Sequence, residues 1–548
     1  MTITLRAGFR GWRSPVGVAI VALSAASPAF EAPQPAANDI ATQSTVDALR
    51  AQLQTALLST QRQLAAPLGG ASAPADSSSA ASQPGAPASP AAPHAPLDPD
   101  PLRAVIDAPA FTALDRSVQQ VALTLDAEWA LRTREWRRAF DLATRANALS
   151  DQNVIDWSIK VQAAVMLNDQ SLALTSLTDF GRHWGRALTE FPDETILRVT
   201  NGARTPALAQ ARFDLLQMLY DARWQPRSGR KPDLLWRDLS LMLIERRRAA
   251  EAAQVASHVH DPYQLVILQS DVRYKPVLSS GLVSTDVRRS ALDEIARSEH
   301  LVQSRPHSLA SVVQLANAEV AALQDARALE LTAHSISVVQ GKSDGVAAVY
   351  ADSAAQLSWI YHAQAKALRD LGRFEEALDS LQRAVSWSGN KDPVSHKLNL
   401  AAALCELDRP QEALRLLPDA EQTSAYGRTV MALVRATAAA ELDDTPSQQA
   451  ALAELRASTD VSPTNLFTAL ITVGDEDAAA EYLVARLRDP FARADALLDI
   501  QMFAKTAVPP RVQRWRQLLS RLRERADVRE ALRGIGSVRD YPLRERLF

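Results

Sequence analysis

The chain has a single cysteine, Cys405, among 548 residues. That excludes an intramolecular disulfide and any zinc or iron–sulfur site built from several thiolates. A lone thiol of this kind reads as a small buried apolar group. Aromatic residues are scarce at 5%, and net charge is only −3. Neither sign of charge is in enough excess to draw the chain to nucleic acid or to an anionic membrane. Beyond the N-terminus, no apolar run is long and uncharged enough for a bilayer span, which takes about 20 residues.

Alanine, in contrast, is abundant, and hydrophobic residues make up 47% of the chain. Alanine is the best helix former and lets helices approach closely, so the composition points to tightly packed helices. The length exceeds what one core usually supports, so several domains or a repeat array are expected.

The N-terminus reads as an export signal over 1–29. Arg6, Arg10 and Arg13 precede the short apolar run Val16 to Ala26, and Ser27-Pro28-Ala29 supplies small residues for cleavage. The arginines are not adjacent, which argues against the twin-arginine route. A periplasmic protein of a Gram-negative bacterium, or a secreted one, is the expectation. Within 30–66, Val46, Leu49, Leu53 and Ala56 form a 3-4-3 stripe on one side of a helix. One reading of that stripe is a short coiled-coil seam, giving a homo-oligomer through residues 38–66. Residues 67–101 are nearly all Ala, Ser, Pro and Gly, a composition that cannot bury enough apolar surface to order itself and predicts a disordered linker.

From Leu102 on, the pattern is helix after helix, and Tyr263 to Leu268, the one β-like run, reads as a buried helix in that setting. The decisive feature is an internal period. A turn residue precedes a close-contact alanine by five positions at Gly372/Ala377, Asp408/Ala413, Gly474/Ala479, Arg134/Ala139 and Asn168/Ala173. Unit spacings are 173 − 139 = 34 and 413 − 377 = 36, with a looser copy from Leu442–Asp444 to Ala450 at 450 − 413 = 37. Gly372 sits where a helix end favours positive φ, Phe374 wedges between paired helices, and Ala377 and Leu378 face the partner helix. The octets Leu371-Gly372-Arg373-Phe374-Glu375-Glu376-Ala377-Leu378 and Leu407 to Leu414 resemble the central signature of the tetratricopeptide (TPR) family. The resemblance extends to exported bacterial TPR proteins. It implies an all-α solenoid with partly degenerate repeats over 102–350, clear ones over 351–490, and basic capping helices over 491–548.

Catalytic constellations are weak. Gly341-Lys342-Ser343 looks like the end of a phosphate loop, but Ile336 stands where that loop needs glycine. His258, His260 and Asp261 read as a polar turn before Pro262. Ser279-Ser280-Gly281 lacks a nucleophile elbow. Glu375 and Glu376 open a helix, where acids suit the macrodipole. No metal and no cofactor are expected, and the chain is read as a non-enzyme. An enzymatic reading would need His183, His258 and His260 gathered in one pocket of 180–350. Residues Lys505–Phe548 carry twelve basic and five acidic groups. They read either as a solvated cap closing the solenoid or as a basic docking face.

In TPR arrays the first helices of successive repeats line a groove. That resemblance implies that Trp359, His362, Lys366, Arg369 and Asn399 face a ligand. Asn399 matches the amide of peptide-clamping TPR domains, whereas Glu406 stands where the clamp needs a basic group. The functional expectation is an envelope scaffold or adaptor that binds a protein or peptide partner, without nucleic acid and without a transmembrane segment after signal cleavage. The alternative is a polysaccharide or secretion accessory factor that holds a polymer along the solenoid.

Overall fold

The computed structural model describes residues 45–57, 100–202, 204–341, 350–388 and 393–545. The expected signal, the linker apart from its last two residues, and Lys342 and Ser343 lie outside them. The chain divides into two compact units between Trp224 and Gln225.

The first unit contains α1 (45–57), α2 (Asp100–Ile106), α3 (Arg116–Arg132), α4 (Trp136–Leu149), α5 (Val154–Met166), α6 (Gln170–Trp184), α7 (Asp193–Asn201) and α8 (Ala209–Asp221). The α1 stripe is fully used. Val46, Leu49, Leu53, Ala56 and Leu57 are buried in one apolar cluster with Leu102, Phe111, Leu123, Leu142 and Ile159. The seam expected to pair two copies is therefore covered by the unit's own core, because α2 to α5 offer it an apolar face within the chain.

The second unit begins with α9 (Asp233–Glu245), α10 (Ala249–Ala256), α11 (Pro262–Ser270), α12 (Lys275–Leu278) and α13 (Val287–Ser304). Antiparallel pairs follow: α14 (Leu309–Ala321) with α15 (Asp325–Val339), and α16 (Ser353–Asp370) with α17 (Phe374–Ser388). The next are α18 (Pro393–Glu406) with α19 (Pro410–Leu416), α20 (Ala425–Glu441) with α21 (Thr445–Arg456), and α22 (Pro463–Thr472) with α23 (Glu476–Arg488). The chain closes with α24 (Arg493–Asp499), α25 (Pro510–Glu524) and α26 (Ala526–Leu532). The β-like run 263–268 lies inside helix α11, as its helical surroundings lead one to expect.

The repeat is visible in the backbone. Nine helix ends place one residue at positive φ: Arg134, Asn168, Arg223, Arg247, Leu323, Gly372, Asp408, Asp443 and Gly474. At eight of them the next amide donates to the carbonyl five residues back, as Arg373 does to Leu368 at 2.9 Å and Gln324 to Glu319 at 2.8 Å. This six-to-one bond satisfies carbonyls that the helix end leaves open. Five residues beyond the turn comes a buried alanine at Ala139, Ala173, Ala252, Ala328, Ala377, Ala413 and Ala479, each 7% exposed or less. A larger side chain there would wedge the paired helices apart. The looser unit departs from the expected position: Ala450 is exposed, and Ala451 and Leu452 face the core instead.

The class is all-α with one correction. Two short strands, β1 (Met502–Ala504) and β2 (Asp540–Arg544), pair in parallel, with Met502 opposite Asp540 and Phe503 opposite Tyr541. Next to this ribbon, Val272 donates its amide to the Ile535 carbonyl at 2.9 Å, and Ser537 donates to Ser270 at 2.9 Å. The segment expected as capping helices thus contains strand as well. Three residues of β1 are too few to show an alternating pattern in sequence.

Candidate functional site: acid-ended helices and the C-terminal segment

Three successive first helices end on an acid. Asp370 closes α16, Glu406 closes α18 and Glu441 closes α20. Each stands two residues before a turn residue of positive φ, namely Gly372, Asp408 and Asp443. A carboxylate at a helix C-terminus faces the negative end of the macrodipole, which costs roughly 0.3–1 kcal/mol. Asp370 and Glu406 are also buried. Such acids require cations, and all three have one.

Glu406 takes a bidentate pair from Arg369, two bonds of 2.8 Å. The other two cations come from the C-terminal segment. Arg544 of β2 forms a buried bidentate pair with Asp370, one bond at 3.1 Å and a shorter one from its Nε. Arg511 of α25 is ion-paired with Glu441, and its guanidinium also donates to the Thr437 carbonyl at 3.2 Å. The backbone of β2 is held too, since the Tyr263 hydroxyl donates to the Arg544 carbonyl at 2.7 Å. Asp325, which opens α15, is the further carboxylate near this seat. Burial first, and then the Asp370 charge, push its pKa up to about 6, with Arg544 acting in the opposite direction.

Further arginines of the segment also meet acids or carbonyls of the second unit. Arg521 reaches Glu476 at 3.1 Å, Arg525 reaches Asp477 at 2.8 Å, and Arg516 reaches Glu545 at 2.7 Å. Arg523 donates to the carbonyls of Ile500 and Gln501. The segment thus packs on the unit through acids of its own chain.

The residues expected to face a ligand lie on this same surface. Trp359, His362 and Asn399 come together around His396. The Trp359 and His396 rings are 4.5 Å apart, and Asn399 Nδ2 lies 3.4 Å from His362 Nδ1. Burial holds the His362 pKa well below the usual imidazole value, and the nearby Lys366, His396 and Arg544 charges act in the same direction. Lys366 donates to Asn317 at 3.1 Å, and Arg369 is committed to Glu406. The space between α16, α17 and α18 is ≈ 50 Å³, lined among others by His362, Lys366, Arg369, Asn399, Pro509 and Arg544. That volume holds a few waters.

A larger cavity of ≈ 470 Å³ lies between α18, α20, α22 and α25, lined among others by Cys405, Val434, Glu441, Ile471, Arg511 and Trp515. Burial pushes the Cys405 thiol up to about 12, so it is un-ionised at neutral pH. Another hollow of ≈ 450 Å³ is lined by Gly229, Lys231, Glu294, Arg297, His300 and Gln314 among others, and none of His183, His258 and His260 is among its lining residues. His183 stacks on Trp157 at 4.5 Å within the first unit. Asp261 caps α11 through the Gln264 amide at 2.9 Å. Among the described residues, no helix is long and apolar enough to cross a membrane.

Sequence reasoning missed the acid register, although it is written there: 406 − 370 = 36 and 441 − 406 = 35. Glu406 was legible only as a departure from the peptide-clamp pattern. The partners of Asp370 and Glu441 could not be found from local spacing, because Arg544 and Arg511 lie far along the chain.

No family model matches the chain, and no curated protein matches it. Among solved structures, the APC/C hetero-tetramer Cut9-Hcn1 is similar at 13% identity and a TM-score of 0.26, over 79% of this chain and 92% of that one. Naa15/Naa10 bound to HypK-THB is similar at 11% identity and a TM-score of 0.22, over 75% and 84%. A circular tandem repeat protein with novel repeat topology gives 13% identity and a TM-score of 0.13, over 90% and 98%. With overlaps this low, the TPR-like character of the chain stands on its own turns: the recurring positive φ and the alanine five residues later.

Proposed function

We propose that the chain is an exported, non-catalytic scaffold of the bacterial cell envelope that binds a protein partner through its TPR-like second unit. One observation carries the reading. The helix-pair array already holds an extended segment, β2, through the Arg544–Asp370 pair, the Tyr263 hydroxyl on the Arg544 carbonyl and the ladder with β1. A surface that can seat one polypeptide segment has the chemistry to seat another. The Arg6 to Ala29 pattern supports export. Fold alone does not fix function, so the reading rests on the face and not on the repeat class.

The test uses the full chain, expressed with its N-terminus intact in a Gram-negative host and crosslinked in the envelope. The expected result is a product cleaved after Ala29 that holds one protein at fixed stoichiometry. Recovery with polysaccharide fragments and no protein would favour the polymer-holding alternative and overturn the scaffold reading.

A further inference from the structure

We propose that Asp370 at the end of α16, together with Tyr263 and β1, forms a docking seat for an extended, arginine-bearing apolar segment, and that the chain's own strand β2 is a resident occupant which such a partner displaces. The inference rests on the scaffold reading and names the chemistry of its partner.

Helix C-termini disfavour carboxylates, yet Asp370, Glu406 and Glu441 occupy the same place in three successive units. Only Glu406 is neutralised by a neighbouring repeat, through Arg369. The other two are neutralised by a segment that is not part of the repeats. The face is therefore built for cations that arrive from outside the array.

The shape of the occupant is equally specific. In β2, Tyr541, Leu543 and Arg544 are buried, while Asp540 and Pro542 between and before them are exposed. Strand periodicity sends residues two apart to one face, so Tyr541 and Leu543 fill apolar seats while Arg544 reaches Asp370. Asp325 lies beside the same guanidinium, so the seat has a second carboxylate for a single cation. Planar guanidinium suits this bidentate pairing, and a lysine ammonium does not reproduce it. A competing segment accordingly needs an arginine directly after a leucine-like residue, with an aromatic two positions before that residue.

The backbone of the occupant is held along the β1 ladder and at both of its ends. Tyr263 grips the Arg544 carbonyl, and Met502 donates its amide to the Arg539 carbonyl at 3.0 Å. A strand paired on one side only to a three-residue partner is a short ladder. Exchange with a partner strand keeps the same bonds, so it needs no new pocket.

The test is fluorescence anisotropy with a labelled peptide of residues 539–545 and the full chain carrying Arg544→Ala. A docked tail lowers apparent affinity by the fraction of chains whose face is open, so the variant should bind the peptide at least about tenfold more tightly than wild type. Binding should disappear when Asp370→Asn is added, or when the arginine of the peptide is replaced by alanine. Leu543→Ala, which loosens the buried tail and leaves every charge and the seat itself in place, guards against misfolding of the first variant. It should shift binding in the same direction by a smaller factor. Equal binding to wild type and both variants, or binding indifferent to the peptide arginine, would overturn the proposal. Neither result bears on the envelope crosslinking experiment, so failure here and failure of the scaffold reading are distinguishable.

Discussion

At the scale of single residues, the repeat is a backbone event before it is a side-chain event. Each unit needs one residue at positive φ where its first helix ends, and the chain spends glycine on only two such sites, Gly372 and Gly474. At Gly372 a Cβ would also come within 3.3 Å of Ala507, so the close approach and the φ of +78° select the same residue. Leu323 takes the same conformation at φ 61°, and a left-handed non-glycine residue costs roughly 1–2 kcal/mol. Leu323→Gly should therefore stabilise the chain by about 0.5–1 kcal/mol after the added unfolded-state freedom of glycine is subtracted. Urea unfolding checks this, and an unchanged or lower midpoint contradicts it. The same residue explains why the repeats over 102–350 read as partly degenerate. Arg247/Ala252 and Leu323/Ala328 keep the five-residue spacing of the clear units, and both alanines are fully buried. Arginine and leucine are not turn-forming residues, so spacing was the only signal available, and alanine is too common in this chain for spacing alone to stand out.

At the scale of elements, the helices place charge where it must be answered. Asp325 opens α15, a favourable end for an acid, but it is buried against Asp370 and has one carboxylate oxygen without a hydrogen-bond partner. Its pKa rises from 3.8 to about 6, so the folded chain holds this proton more tightly than the unfolded chain does. Stability from this group is then fully present below about pH 4 and is lost as pH rises through about 6. The loss amounts to roughly 3 kcal/mol, at about 1.4 kcal/mol per pKa unit. Asp325→Asn should flatten the stability profile between pH 4 and pH 6.5 and raise the urea midpoint at pH 7. A variant whose profile keeps the wild-type slope in that window contradicts the assignment. Helix identity itself was legible from periodicity, including α11, whose apolar run imitates a strand. Strand β1 was not legible, because its pairing with β2 is decided by residues almost forty positions away.

At the scale of the whole molecule, the C-terminal segment decides what surface the second unit offers. Arg544 and Asp370 are 174 positions apart in sequence, and Tyr263 and Arg544 are 281 apart. Contacts at such separation leave no local pattern, which is why the expected groove residues could be placed while its occupant could not. Trp359, His362 and Asn399 do meet, and Pro509 and Arg544 from the C-terminal segment help line the ≈ 50 Å³ of room beside them. Removing one partner of a buried ion pair costs about 3–5 kcal/mol, since the other charge is stranded. That cost holds the segment on the face. What stands or falls here is that this segment is docked on the second unit of its own chain in the native state. Native-state hydrogen exchange reads it directly at the amides of Val272, Met502 and Ser537, which donate to Ile535, Arg539 and Ser270. The account predicts that these amides exchange far more slowly than the same residues in a free peptide, and that Arg544→Ala speeds all three together. Exchange at free-peptide rates in the wild-type chain would contradict it.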